Sequence, residues 1–197
     1  MRSFAIIPAA GRSRRMRRHK LMLPFGDSTV LGQVLHGWRA SRVDEVVVVA
    51  RRDDTDVLRA CRQSGVHTVT PSEDPAQMKV SIQHALGFVQ EQFSPSREDV
   101  WLLAPADSPR LSPTVIGLVL SAYEPEQPAI VVPTYDGRRG HPVLFPWTLS
   151  GEVGDLGVDQ GVNALLDRHA VREILCSEPS VLDDLDTPDD YRRLRVT

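Results

Sequence analysis

The feature that most constrains the fold is a repeated alternation of short apolar, β-branched runs with longer segments of helical spacing. The runs predict strands at 3–8, 44–50, 67–71, 99–106 and 129–135. The intervening segments predict helices at 30–41, 55–63, 78–90 and 113–123. This order predicts an α/β protein, with a mostly parallel sheet between two helical layers in an α/β/α arrangement.

Several of the runs are continuously apolar, as in VVVV at 46–49 and VWLL at 100–103. Continuous runs are typical of parallel strands that helices cover on both faces. Such sheets bind ligands beyond the carboxyl ends of their strands. The positions at that edge lie just after Pro8, Ala50, Pro71, Ala106 and Tyr135.

The composition predicts one domain spanning residues 1–197, because 197 residues with 41% hydrophobic content can build one substantial core. The net charge is −3, yet six of the nine residues from Arg12 to Lys20 are basic. Positive charge is therefore local. A basic run can be a solvated surface loop or a nucleic-acid patch, but this one has no interleaved aromatic residues, so we expect no nucleic-acid partner.

The cysteines and the amino terminus favour a cytoplasmic protein. Cys61 and Cys176 are far apart and have no metal-ligand spacing, which indicates neither a disulfide framework nor a zinc site. The first apolar stretch is too short for a signal peptide, and no apolar run approaches the roughly 20 residues that span a bilayer. We expect no membrane partner.

A loop of small residues follows the first strand, in AIIPAAGRSRRMRRHKLMLP at 5–24. A phosphate can approach backbone N–H groups where side chains are as small as those of Ala9, Ala10 and Gly11. Lys20 as a point charge and Arg15 as a bidentate donor could neutralise a triphosphate. The stretch matches neither a P-loop nor GxGxxG, which argues against a P-loop kinase and a nicotinamide-dependent reductase.

Asp107 is the metal candidate that the sequence itself indicates, because it ends a buried strand in LLAPADSP at 102–109. Mg²⁺ prefers one or two carboxylates together with waters and phosphate oxygens. The alternative is that Asp107 only caps a turn. A further acidic cluster, VLDDLDTPDDY at 181–191, could equally be the start of a helix whose dipole favours acidic residues.

The stretch IPAAGRSRRMRRHKLMLPFGDSTVLGQVL at 7–35 resembles the signature of the MobA-like nucleotidyltransferases, and most closely that of the molybdopterin cytidylyltransferase group. Arg17 replaces the family's glycine. The resemblance implies the Rossmann-like fold of the nucleotide-diphospho-sugar transferases, with a loop that wraps the nucleotide. The nucleotide-binding positions that it implies are Pro8, Ala9, Ala10, Gly11, Ser13, Arg15 and Lys20.

The same resemblance extends to the middle and the end of the chain. DPAQMKVSIQHAL at 74–86 is similar to the element that places Ser81 near the nucleotide base, with Asp74 and Gln77 in place of the family's Asn and Gly. Asp107 resembles the family's magnesium-binding Asp, although Ala106 replaces the preceding glycine. The acidic cluster resembles DIDTPEDY, which implies Asp184 as the second metal ligand, with Asp186 as the competing residue.

Two elements resemble the acceptor side of the family. GRRGHPVLFP at 137–146 implies acceptor contacts from Gly140, His141 and Pro142, the alternative being an exposed loop histidine. GVDQGVNALLDRH at 157–169 implies Asp159 and Gly161, with Asn163 in place of the usual arginine.

The resemblance implies an enzyme that transfers CMP from CTP to the phosphate of molybdopterin and releases pyrophosphate, with Mg²⁺, or alternatively Mn²⁺, as cofactor. Lys20, Arg15 and Asp107 are its catalytic candidates. GTP is the alternative donor, and a molybdenum hydroxylase apo-enzyme is the implied protein partner. Two alternatives stay open: transfer to a sugar or polyol phosphate, and a non-catalytic maturation protein that binds a molybdopterin nucleotide.

Overall fold

The computed structural model describes residues 1–12, 16 and 18–196. Within these residues the strands are β1 (Ser3–Pro8), β2 (Pro24–Phe25), β3 (Ser28–Thr29), β4 (Glu45–Val49), β5 (His67–Val69), β6 (Val100–Leu103), β7 (Ile130–Tyr135), β8 (Arg138–Arg139), β9 (Val143–Pro146) and β10 (Val171–Leu175). The α-helices are α1 (Val30–Arg39), α2 (Thr55–Ser64), α3 (Met78–Phe93), α4 (Pro113–Ser121) and α5 (Pro188–Val196). Short 3₁₀ turns occupy Lys20–Met22, Trp147–Leu149, Gly151–Val153, Val162–Leu165 and Pro179–Leu182.

The main sheet has the strand order β10-β7-β9-β6-β1-β4-β5, with β8 paired to β7. Strand β1 is parallel to both β4 and β6, β4 is parallel to β5, and β10 is parallel to β7. Strand β9 alone of this row is antiparallel to its neighbours β6 and β7. The prediction of a mostly parallel sheet flanked by helices is confirmed.

Alternate residues of each central strand enter different cores, which explains the continuous apolar runs. In β1, Ala5 and Ile7 pack with the core that contains α1, α2, α4 and α5, whereas Phe4 and Ile6 pack on the face covered by α3 and residues 147–165. All four side chains are completely buried. A central strand of this kind has no solvent face, so it carries no polar alternation.

Helix starts follow from local side chains. Ser112 accepts a hydrogen bond from the Val115 N–H at the start of α4, and Thr187 accepts one from the Asp190 N–H at the start of α5. Both contacts satisfy N–H groups that have no partner within the helix. In the segment after residue 161, Val162–Leu165 forms only a 3₁₀ turn, in which hydrogen bonds join residues three apart, as from the Ala164 N–H to the Gly161 carbonyl.

The antiparallel strand β9 determines where the segment before it lies. Val143, the first residue of β9, pairs with Leu103, the last residue of β6. The preceding residues His141 and Pro142 therefore reach the carboxyl edge of the parallel strands. Among the described residues, no helix combines the length and the apolar character needed to cross a membrane.

Candidate functional site

A cavity of about 580 Å³ opens at the carboxyl edge of the sheet. It lies between the loop after β1, the start of α3 and the loop after β6. Its wall consists of Pro8, Ala9, Ala10, Gly11, Arg12, Lys20, Leu21, Asp74, Pro75, Ala76, Gln77, Met78, Ser81, Pro105, Ala106 and Asp107. Three sequence-distant predicted elements thus share one cavity, as expected where parallel strands end together.

Seven of the predicted nucleotide-binding positions belong to that wall: Pro8, Ala9, Ala10, Gly11, Lys20, Ser81 and Asp107. Ser13 and Arg15, the other two, lie outside the described residues. The Ala9 N–H donates to the Val49 carbonyl at 2.8 Å, which joins the loop to β4. A Cβ atom built on Gly11 would meet no atom within 4 Å, so the space beside this backbone is open.

Lys20 and Asp107, 87 positions apart, meet in an ion pair at the wall of the cavity. The Lys20 ammonium also donates to the Leu185 carbonyl at 3.0 Å and to Asp186 Oδ1 at 3.4 Å. The Leu185 N–H donates to the carbonyl of Asp107 at 3.1 Å. These contacts dock the acidic segment 183–186 against the carboxyl end of β6.

Asp184 lies in the same cluster. Its Oδ1 accepts a hydrogen bond from Ser108 Oγ at 3.3 Å. Burial of the carboxyl group raises the pKa of Asp184, and the charges of Asp107 and Asp186 raise it further, against the opposing effects of His141 and Ser108. The negative charges that raise the pKa of Asp184 make this a site that a cation would stabilise.

Gly140 and His141 are held next to this cluster by their backbones. The Gly140 N–H donates to the Pro133 carbonyl at 2.8 Å, and the His141 N–H donates to the Val181 carbonyl at 2.8 Å. A Cβ atom on Gly140 would lie 2.3 Å from the Val181 carbonyl oxygen, so this position requires glycine. Pro142 is buried and follows a cis peptide bond.

The imidazole of His141 differs from an exposed loop histidine. Burial lowers its pKa, against the opposing effects of Asp184, the Leu103 carbonyl and Asp107. Its Nδ1 atom is buried and has no hydrogen-bond partner among the residues that the structure describes. The ring is therefore neutral at pH 7 and has an unused polar atom close to the carboxylate cluster.

Asp159 and Gly161 are exposed and do not belong to the described wall of the cavity. Their loop is nevertheless joined to α3 by Lys79, which the sequence patterns did not single out. Its buried ammonium donates to the carbonyl oxygens of Leu156 at 3.2 Å, Val158 at 3.5 Å and Gly157. Lysine side chains are rarely buried, so no signal in the sequence indicated that Lys79 would be.

Arg12 and Asp74 form an ion pair at the wall of the cavity, and Arg12 also lies 3.6 Å from Asp53. The hydrogen bond to Asp74 and its charge raise the pKa of Arg12. Asp74 is the residue that replaces the family's Asn, so this pair is a consequence of that replacement.

The donor set fits a divalent cation that is shared with a ligand. Among the residues that the structure describes, no three His, Cys, Asp or Glu side chains are grouped to hold a metal by themselves. Two carboxylates completed by phosphate oxygens and water are the arrangement that Mg²⁺ commonly uses. The Lys20 ammonium among Asp107 and Asp186 shows that the cluster accommodates a positive charge.

The Rossmann-like fold, the small-residue loop and the Lys20 ammonium beside clustered carboxylates are the features expected of a nucleotidyltransferase. The comparison with known families agrees, since the MobA-like NTP transferase domain matches residues 5–173. The chain belongs to this family.

The individual relatives share less than a third of their residues with this chain. The chain is 28% identical to the purine catabolism protein PucB of Bacillus subtilis, with 95% of this chain and 93% of that protein covered. It is 26% identical to the molybdenum cofactor cytidylyltransferase of Escherichia coli, with 94% and 92% covered.

A solved structure, Rv0371c of Mycobacterium tuberculosis, superposes with a TM-score of 0.85 at 30% identity, with both chains covered completely. The same protein has also been solved in complex with manganese, with a TM-score of 0.81 to this chain. A relative of this chain therefore holds a divalent cation.

Proposed function

We propose that this chain transfers a CMP group from CTP to the phosphate of a molybdopterin-type acceptor and releases pyrophosphate. The observation that carries the proposal is the meeting of Lys20 and Asp107 at the wall of a cavity that the Ala9–Gly11 loop also lines. The likeness to a molybdenum cofactor cytidylyltransferase supports this choice of donor and acceptor. The proposal assigns residues 1–197 to one catalytic domain.

The nucleotide would lie with its phosphates along the backbone of Ala10 and Gly11. Lys20 would leave its carboxylate partners to neutralise phosphate oxygens, assisted by Arg15 and Ser13. Ser81, on the first turns of α3 and at the cavity wall, would lie near the base. In such a site, positioning of the phosphates and neutralisation of their charge would supply most of the rate effect.

Asp107 and Asp184 would hold Mg²⁺, with Mn²⁺ as the alternative. When bound, a divalent cation gathers phosphate oxygens and offsets their charge in the transition state. Asp186 contacts Lys20 and is the competing second ligand. As the pH falls toward the raised pKa of Asp184, this carboxyl group becomes protonated. A cation that binds there would then have to displace the proton.

The acceptor would approach from the side of Gly140, His141 and Pro142, with Asp159 and Gly161 on the neighbouring loop. A neutral His141 can accept or donate a hydrogen bond at its buried Nδ1 without adding charge. An oxygen of the acceptor phosphate attacks the α-phosphorus, and the bond from that phosphorus to the pyrophosphate oxygen breaks. A phosphate nucleophile is already ionised at neutral pH, so this step needs no general base.

The test is pyrophosphate release with Mg²⁺, molybdopterin and each of CTP, GTP, UTP and ATP. We expect release with CTP, and we expect Asp107→Asn to lower the rate about a hundredfold or more. Asp27→Asn is the matched control, because Asp27 bonds only to Gln33 among the contacts described and lies outside the cavity wall.

Different outcomes separate the alternatives. Faster release with GTP would refute the choice of donor. Release only with a sugar or polyol phosphate as acceptor would refute the molybdopterin assignment. Tight nucleotide binding without turnover on any acceptor would support the non-catalytic maturation protein instead.

A further inference from the structure

A hydrogen-bonded network around Arg51 and Asp54 holds the carbonyl groups of the small-residue loop. Arg51 lies two residues after the end of β4, and its Nη1 donates to the carbonyl oxygens of Ala10 at 3.2 Å and Gly11 at 3.1 Å. The side chain is only 10% exposed. Sequence patterns indicated the position after Ala50 as an edge of the sheet but attached no role to this arginine.

Asp54 is the centre of the network. Its carboxylate accepts from Arg51 Nη2 at 3.0 Å, contacts His19 Nε2 at 2.8 Å and accepts from the Val57 N–H at the start of α2. Only 5% of Asp54 is exposed. His19 immediately precedes Lys20, so one buried carboxylate is linked both to the residue that holds Gly11 and to the neighbour of the phosphate-binding lysine.

The direction of the carbonyl groups determines the direction of the N–H groups. In a trans peptide unit the C=O and the N–H point to opposite sides. Because the carbonyls of Ala10 and Gly11 point to Arg51, the N–H groups of Gly11 and Arg12 point away from it. Ala10, Gly11 and Arg12 line the cavity, and Arg51 is not part of its described wall. The two residues that carry these N–H groups, Gly11 and Arg12, both belong to the wall of the cavity.

We propose that Arg51, held by Asp54, is a positioning residue that orients the backbone N–H groups of Gly11 and Arg12 toward the triphosphate of the donor. The inference rests on the proposed function, because it takes the ligand in this cavity to be a nucleoside triphosphate. Arg51 acts through the loop, and it fixes the loop's anion-binding direction before the ligand arrives, which lowers the ordering cost of binding.

The experiment measures binding of inorganic tripolyphosphate by isothermal titration calorimetry, at fixed ionic strength. Arg51→Met removes both loop contacts, and Arg51→Lys keeps the charge with a single flexible donor. Arg52→Met is the matched control: it removes the same charge one position away, from a side chain that donates to the Pro71 carbonyl at 3.0 Å and not to the loop.

We expect Arg51→Met to weaken tripolyphosphate binding about ten- to a hundredfold, the range seen when a group that orients a binding residue is removed. Arg51→Lys should lie between wild type and Arg51→Met, and Arg52→Met should stay within about twofold of wild type. Cytidine, which has no phosphate, should bind Arg51→Met and wild type equally.

Three results would overturn the inference: equal weakening by Arg51→Met and Arg52→Met, full binding by Arg51→Met, or equal loss of cytidine and tripolyphosphate binding. If the wild type binds no tripolyphosphate, both the inference and the proposed function fail. If the expected pattern appears without pyrophosphate release on any acceptor, only the proposed function fails.

Thermal unfolding of each variant without ligand checks the fold. Where Arg51→Met does not fold, the comparison of Arg51→Lys with Arg52→Lys decides the matter. We then expect weaker tripolyphosphate binding in Arg51→Lys alone, and equal binding by these two variants would overturn the inference.

Discussion

Replacing Lys20 with methionine should lower stability and, at the same time, strengthen metal binding. The ammonium of Lys20 bonds to Asp107 and Asp186, the two carboxylates nearest to it. Methionine keeps most of the apolar stem but removes the charge, so the carboxylates lose their cation while the packing changes little. A divalent cation would then be the best remaining partner for the cluster.

The contacts set the magnitude. At an effective dielectric constant of about 20, two unit charges 3.4 Å apart, as in the Lys20–Asp186 contact, attract by about 5 kcal/mol. Asp186 has 42% of its side chain exposed, so solvent screens most of that attraction, whereas Asp107 has only 13% exposed. Because removing one partner of a buried pair leaves a charge uncompensated, we expect a loss of about 2–4 kcal/mol in unfolding free energy.

The assay is urea unfolding of wild type, Lys20→Met and Lys20→Arg, with and without Mn²⁺ and in the absence of nucleotide. Mn²⁺ should raise the unfolding free energy of Lys20→Met more than that of wild type, because no ammonium competes for the carboxylates. Lys20→Arg keeps the charge and serves as the control. Equal Mn²⁺ stabilisation of wild type and Lys20→Met would refute the competition between ammonium and metal.

Two further predictions concern stability. Gly140→Ala should lower the unfolding free energy by about 2 kcal/mol or more in urea titrations, because the added Cβ would lie 2.3 Å from the Val181 carbonyl oxygen. A Cβ atom on Gly151 would meet no atom within 4 Å, so the control Gly151→Ala should cost less than about 1 kcal/mol. Burial would raise the pKa of Asp99, but hydrogen bonds from the N–H groups of Arg2 and Ser96 and from the Arg2 guanidinium outweigh it and lower the pKa. The ionised Asp99 carboxylate therefore stabilises the fold above the ordinary Asp pKa, and this stabilisation is lost as pH falls through the lowered pKa. Asp99→Asn should therefore be less stable than wild type at pH 7 by urea titration, and the difference should shrink as pH falls below about 4; a constant difference would contradict this assignment.

Local patterns were sufficient for most of the fold. The strands β1 and β4 and the helices α1 and α2 were predicted within two residues, because continuous apolar runs and helical spacing report burial on both faces of a sheet. The start of α4 at Pro113 was predicted correctly, because proline suits the first position of a helix and the preceding Ser112 caps a nearby backbone N–H. These signals depend on residues a few positions apart, so the sequence alone is sufficient to detect them.

Part of the candidate site was also predictable. Small residues directly after β1 and an aspartate after β6 follow the ends of parallel strands, and such ends meet at one edge. The lysine nine positions beyond Gly11 continues the same loop. That argument depends only on the strands being parallel. It does not depend on which strands are neighbours.

The sequence by itself predicted five strands, four helices, a mostly parallel sheet and the chemical character of the loop at the edge of that sheet. Only the tertiary structure decided that the acidic segment 183–186 docks on Asp107 and that β9 is antiparallel and carries His141 to the same edge. It also decided that Arg51, bonded to Asp54, contacts the carbonyl groups of the loop. The physical reason is that the docking of the acidic segment, the pairing of β9 with β6 and the contact of Arg51 with Gly11 join residues 40 or more positions apart. Their pairing follows from the strand order and the packing of the whole sheet, which no local periodicity encodes.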